Sequence, residues 1–312
     1  MIEAAFAEAI EPLRPALRLH CYRMLGSSHE SDDLVQETML RAWRARDTLR
    51  DSSRLKPWLY SIATHACLDE LAKRPRRVLA SDHGPPTAGN AFPPAPPADD
   101  VPWLEPMPDA WLGGVAEDPQ ARYTLRESVA LAFVAALQVL SPPQRATLLL
   151  RDVLGMSAEE AALALEQTAR AVESTLHRAR VAIEEKVAPR DPASFAGAPA
   201  DRDVLARYMR AIAEPDLDTM LSLIHEDMHT TMPPSPTWIR GRAENAEFYR
   251  RMFERFAGGV ARAEPRGVNG GAGFAFFREG VLRAIEAVEV KGGAIYRMHH
   301  FMQPELLPLF SR

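Results

Sequence analysis

Three groups of residues in this chain could do chemistry. The first is a polar stripe in the stretch 142–186, where Arg170, Glu173, Ser174, His177 and Arg178 share one helical face behind Thr168. Guanidinium, hydroxyl and imidazole groups can reach phosphate oxygens and base edges, and a carboxylate can accept from cytosine N4. The second group places Trp58, Tyr60 and His65 among Lys56, Lys73, Arg74, Arg76 and Arg77. Rings interleaved with cations suit unpaired bases, with stacking for the base and charge for the backbone. The plainer account puts Trp58 and Ile62, about one turn apart, in a core. The third group is Glu286 with His225, Trp238, Tyr249, His299 and His300, the carboxylate and hydrogen-bonding groups that isomerase-type chemistry sets in an apolar pocket. No two of these have the spacing of a dyad. Glu286 at a sheet edge, with satisfied or exposed histidines, explains them more simply, and no third ligand makes a metal site of His299 and His300.

The first stripe must stand on a helix. Pro142 and Pro143 suit a helix start, Gly155 a turn, and Ser157 followed by Glu160 a capping box for the next helix. Thr168 caps a third helix on which Val172, Leu176, Ala179 and Ile183 recur at helical spacing. A buried stripe backed by a polar one at the end of such a unit is how a helix-turn-helix presents its reading helix to the major groove. An ordinary bundle with a solvated third helix gives the same pattern.

The aromatic–basic group belongs to a helix over 55–74, preceded by helical periodicity over 3–25 and 29–46. In DDLVQETMLRAW, Leu34, Val35, Met39 and Ala42 fall on one side. Asp33, Gln36, Glu37, Leu40 and Arg41 fall on the other, so Leu40 is an apolar side chain on a charged face. A single exposed leucine is common, whereas a leucine rimmed by charge also suits a protein interface. Between Leu79 and Pro119 the composition shifts to proline, and such chain cannot fold alone. Trp103, Leu104 and Trp111 within it are apolar anchors expected to dock on something. A second, shorter break falls at 189–200.

Residues 200–225 read as two helices, followed by a strand at 228–232, a helix at 243–256 and strands near 273–277, 281–290 and 294–302. Two or three helices followed by a curved antiparallel sheet make an α+β cone. Glu286 is in phase with Leu282, Ala284, Val288 and Val290, which points it inward. The chain thus reads as multidomain, with all-α units at 1–78 and 120–188, a linker at 79–119 and an α+β unit at 200–312.

A length of 312 residues fits two or three domains. Its 37 basic and 42 acidic residues leave a net charge of −5, which excludes bulk coating of nucleic acid but not a local basic reading head. Cys21 and Cys67, the two cysteines, have no CxxC spacing. A disulfide framework or structural zinc is not expected, and a reducing cytosol is. With neither a leader nor a bilayer-length apolar run, a cytoplasmic protein without membrane contact is expected. No motif calls for a cofactor.

The wording LSPPQRATLLLRDVLGMSAEEAALAL…VESTLHRAR resembles region 4 of the extracytoplasmic-function (ECF) sigma factors, the reader of the −35 promoter element. DDLVQETMLRAW…LKPWLYSIATHACLDEL resembles region 2 of the same family. LARYMRAIAEPDLDTMLSLIHEDMHTTMPPSPTWIRGR resembles the SnoaL-like domains, relatives of ketosteroid isomerases, which a subset of these sigma factors carries at the C-terminus. The resemblance implies a non-catalytic initiation subunit, with RNA polymerase core (β′ clamp and β flap) and promoter DNA as partners. It implies clamp contact through Asp33, Gln36, Glu37, Leu40 and Arg41. It gives the melted −10 strand to Ser52, Ser53, Arg54, Lys56, Trp58, Tyr60 and His65. The −35 element falls to Thr168, Arg170, Glu173, Ser174, His177 and Arg178. Linker docking on the C-terminal domain falls to Trp103, Leu104 and Trp111. Trp238, Tyr249, Glu286 and His299 are the candidate pocket, for a small-molecule ligand or an intramolecular contact. The sequence departs from the family at His65, often asparagine, at Ser61, often arginine, and at Glu173, usually basic or amide-bearing. A fusion with an active isomerase or cyclase, and a repressor independent of polymerase, are the alternatives.

Overall fold

The computed structural model describes residues 3–115, 119–186, 199–256 and 261–311. In chain order the helices are α1 (Glu3–Ile10), α2 (Arg14–Leu25), α3 (Ser28–Ala45), α4 (Leu55–Leu71), α5 (Ala80–His83), α6 (Pro119–Val129), α7 (Leu131–Val139), α8 (Pro142–Leu148), α9 (Ala158–Ala164) and α10 (Ala169–Lys186). The C-terminal part holds α11 (Pro199–Ala213), α12 (Leu217–Leu223), β1 (Ile224–Thr231), β2 (Trp238–Arg240), α13 (Arg242–Phe256), β3 (Ala261–Val268), β4 (Gly271–Arg278), β5 (Val281–Lys291) and β6 (Ala294–Phe301). Most of the break expected at 189–200 lies outside the described residues. Among the described residues no helix is long and apolar enough to cross a membrane.

The chain divides into two compact units, one of residues 1–77 and 111–189, the other of 78–110 and 190–312. The three folded units expected at 1–78, 120–188 and 200–312 are thus grouped as two, and residues 78–110 of the expected linker fall in the second. In the helical unit, Leu17, Met24, Leu59 and Ala63 from the first helices share a core with Leu137, Leu149, Val172 and Leu176. Pro12 and Pro15 explain why periodicity over 3–25 becomes two helices: a 3-10 turn at Glu11–Leu13 separates α1 from α2. Local chemistry fixes the other starts. Ser27 caps α3 by accepting from the Glu30 N–H at 3.1 Å, and Ser157 with Glu160 forms the capping box of α9. Gly155 takes φ 68°, the left-handed conformation its turn demands.

In the second unit a six-stranded sheet runs β2-β1-β6-β5-β4-β3, antiparallel except for β1 beside β6. Helices α11, α12 and α13 supply apolar side chains to its face: Tyr208, Ile212, Met220 and Tyr249 pack with Met228, Phe274, Val288 and Met298. The helix expected to continue through His225 ends at Leu223, where β1 begins. Strand β3 has no counterpart in the periodicity reading, because Glu264, Pro265 and Arg266 look like a loop. It is an edge strand, where a missing N–H is tolerated.

Candidate nucleic-acid interface and C-terminal cavity

Helix α10 has a buried and an exposed face, with Val181 an exposed apolar side chain on the latter. Val172, Leu176 and Ala179 are buried, while Arg170, Glu173, Ser174, His177 and Arg178 are exposed. Thr168 is also exposed, and its Oγ1 accepts from the Ala171 N–H at 3.2 Å, capping the helix. Glu173 is held by Arg151, whose guanidinium donates to it at 3.0 Å. That pair sets the carboxylate beside the cationic and polar side chains of this face.

On α3, Asp33, Gln36 and Leu40 are exposed, Leu40 at 52%. Half-buried Arg41 bridges Glu37 at 2.7 Å and Asp69 at 3.0 Å, and these carboxylates hold it firmly protonated. Ahead of α4, Ser52, Ser53 and Arg54 form an exposed 3-10 turn, and Asp51 caps it by accepting from the Ser53 N–H at 2.9 Å. Lys56 is exposed and Trp58 half-buried, edge-on to Phe6 with ring centroids 6.2 Å apart.

Tyr60 must be corrected. It is 1% exposed and packs edge-on against His20, and burial pushes its hydroxyl up to about 12. It therefore belongs to the core and cannot meet a base in this arrangement. His65 is half-buried, with Nδ1 3.0 Å from the Ser61 carbonyl. Ser61 donates to the Ala164 carbonyl at 2.9 Å, a close approach between α4 and α9 that suits a short side chain.

The two linker tryptophans part company. Trp103 packs with Ala80 and Trp238 in the second unit, Leu104 is buried there, and Trp238 Nε1 donates to the Gly84 carbonyl at 2.8 Å. Trp111 instead belongs to the helical unit, edge-on to Tyr22 and beneath the Arg18 guanidinium at 4.9 Å. The reading that both dock on the C-terminal domain is corrected to Trp103 and Leu104 alone. Proline-rich chain that cannot fold alone is instead bonded to that domain. Backbone N–H groups of Gly89, Ala95 and Met107 donate to the side chains of Glu244, Thr237 and Asn269 at 2.6, 2.9 and 2.9 Å.

Within the second unit lies a cavity of 490 Å³. Glu286 and Tyr249 line it, as does Tyr208. The register of β5 between β4 and β6 sets Glu286 opposite Phe274 on one side and His300 on the other. Glu286 is 4% exposed; Tyr208 Oη donates to its Oε2 at 3.0 Å, and His300 Nδ1 lies 3.0 Å from its Oε1. Burial, reinforced by the Glu286 carboxylate, raises both tyrosine hydroxyls far above neutrality, so they stay protonated.

Two of the four residues expected at a pocket lie elsewhere. Trp238 faces the linker. His299 lies 2.8 Å from Thr231 Oγ1, because successive residues of a strand point to opposite faces and His300 holds the inner one. Sequence reasoning missed Tyr208, whose spacing from Val204, Ala211 and Ile212 reads simply as helix core. It also missed the pairing of His300 with Glu286, which depends on strand register.

Residues 9–77 match the family model of Sigma-70 region 2, residues 130–183 that of Sigma-70, region 4, and residues 205–300 that of a SnoaL-like domain. The chain is 38% identical over 319 residues to the ECF RNA polymerase sigma factor SigG of Mycobacterium tuberculosis, covering 98% of this chain and 83% of that protein. It is 29% identical over 259 residues to SigJ of the same species, with 80% and 74% covered. The crystal structure of that SigJ matches with a TM-score of 0.61 at 24% identity, over 95% of this chain and 98% of that one, which shows a shared fold. With two sigma-70 regions in order and a relative of this identity along nearly its whole length, the chain belongs to the ECF RNA polymerase sigma factors, as a member with a SnoaL-like domain at its C-terminal end.

Proposed function

We propose that this sigma factor brings RNA polymerase core to its promoters through three surfaces of the helical unit, and that the C-terminal unit with its attached linker modulates that activity. Recognition is its contribution; the polymerase supplies the chemistry. The exposed face of α3, with Leu40 at its centre and Asp33, Gln36, Glu37 and Arg41 around it, docks on the β′ clamp. Ser52, Ser53, Arg54, Lys56, Trp58 and His65 hold the melted −10 strand. Flipping a base out costs a few kcal/mol, which stacking and charge contacts recover. Thr168, Arg170, Glu173, Ser174, His177 and Arg178 read the −35 element, with region 4 resting on the β flap. Glu173 favours cytosine where a basic residue would favour guanine.

The observation that supports this best is α10 itself, where exposed Arg170, Glu173, Ser174, His177 and Arg178 stand opposite a buried Val172–Leu176–Ala179 stripe inside the region 4 match. The repressor and isomerase alternatives are not favoured, since the relatives along the whole chain are sigma factors. The test is in-vitro transcription with bacterial core polymerase on a genomic promoter library. Selective initiation is expected, and its absence with folded protein would sink the proposal. Leu40→Ala should weaken core binding about tenfold while leaving binding of isolated promoter DNA unchanged; equal loss of both would remove α3 from the clamp contact.

A further inference from the structure

The cavity in the C-terminal unit has a composition that selects a ligand class. Its walls are mostly apolar, with Met232, Phe248, Met252 and Phe276 among them. Of its charged lining residues, Glu279 and Arg283 are exposed, whereas Glu286 is buried and held between Tyr208 and His300. An anion at the buried end would lie beside the Glu286 side chain, and a charge buried without a partner is costly to desolvate. At 490 Å³ the space suits a compact organic molecule.

One polar atom remains to be satisfied. His300 Nδ1 is engaged by Glu286, whereas Nε2 of the same ring is buried without a hydrogen-bond partner. Nε2 accepts if the ring is neutral and donates if it is protonated. A hydroxyl can meet either state, because it both donates and accepts. A carboxylate can meet only the second, and would lie beside Glu286.

The linker supplies part of the wall. Phe92, Pro93 and Pro94 line the cavity. Phe92 stands edge-on to Phe248 and Phe256 at 5.2 and 5.7 Å between centroids. The segment is suspended between the Gly89–Glu244 and Ala95–Thr237 hydrogen bonds. It lies between the sigma region 2 match, which ends at 77, and the region 4 match, which begins at 130.

We propose that this cavity is a receptor site for an uncharged, largely apolar small molecule with one hydroxyl group bonded to His300 Nε2, and that the Phe92–Pro94 segment senses its occupancy. The inference goes beyond the promoter-recognition reading and is tested without polymerase or DNA, so either can fail alone.

The test is calorimetric titration of the full chain with 4-hydroxybiphenyl, biphenyl and biphenyl-4-carboxylate. The hydroxylated probe should bind about tenfold more tightly than the hydrocarbon, the fold-change expected for satisfying one buried polar atom. In His300→Phe that preference should vanish while biphenyl still binds, which shows that the cavity survives the substitution. Hydrogen exchange of the backbone amides between 89 and 95 should slow about tenfold on saturation with 4-hydroxybiphenyl. No binding of that probe, equal affinity for the first two, or tighter binding of the carboxylate would overturn the site. Unchanged exchange in the linker would overturn its sensing role.

Discussion

His20 is fully buried with Nε2 2.9 Å from Thr64 Oγ1, and its neighbours are the Tyr60 ring and the Arg23 guanidinium. Burial, reinforced by the Arg23 charge, depresses its pKa from 6.5 to about 3. The unfolded chain therefore takes up a proton below pH 6.5 that the folded chain refuses until about pH 3. Stability falls with pH across that window, by at most about 1.4 kcal/mol per pH unit from this residue. His20→Leu should flatten the slope between pH 6.5 and about pH 5, where few carboxylates yet titrate; urea midpoints across that range give the answer. An unchanged slope would mean that His20 takes its proton in the folded state. At this scale the sequence was half legible. The polar face of α10 was open to helical spacing because its buried partners are plain aliphatics. Tyr60 was not, although Tyr60, Ala63, Thr64 and Cys67 recur at core spacing, because the neighbouring cations suggested a base-binding surface.

Between elements, the helical unit is held by buried arginines. Arg145 of α8, 2% exposed, donates to the carbonyl of Met24 at the end of α2, to Gln138 Oε1 at 2.7 Å and to the Leu140 carbonyl at 3.3 Å. Arg23 of α2 donates to the Ser128 carbonyl and hydroxyl at 3.1 and 2.6 Å. Burial lowers both guanidinium groups to about 10, so both remain charged at neutral pH. Arg145→Ala should cost about 3 kcal/mol, since it leaves a cavity and several buried acceptors without donors. The loss should appear in urea unfolding of the helical unit, with faster amide exchange in α8; a loss below about 1 kcal/mol would show that water replaces the guanidinium readily. Helix starts were legible, because Ser157–Glu160 and Thr168 are local chemistry. The shared core was not, because periodicity shows that a face is buried without showing against what. Strand β3 was hidden by Pro265, whose place at a sheet edge no local pattern reveals.

For the molecule as a whole, the composition shift after Leu79 revealed a linker, and Trp103 with Leu104 its anchors, but nothing local pointed to the seating of Gly89–Ala95. Proline content excludes independent folding; it does not exclude folding against something else. Gly89 shows how close that seat is. It is buried, and a Cβ built there would stand 2.0 Å from the Glu244 backbone oxygen in α13. Gly89→Ala should therefore displace the linker at a cost of about 1–3 kcal/mol. Limited proteolysis should then cut between residues 84 and 98 more readily than in the unaltered chain; equal cleavage would mean the linker shifts without detaching. The same intimacy bears on how such a protein can be divided or inherited. A gene fragment encoding residues 200–312 alone lacks Phe92–Pro94 from the cavity wall and Trp103 from its place beside Trp238. Transfer of that fragment to another sigma factor should yield an incomplete domain. A synthetic peptide spanning 78–110 should restore it in trans, so the two stretches of coding sequence form one unit of inheritance despite the region 4 helices encoded between them.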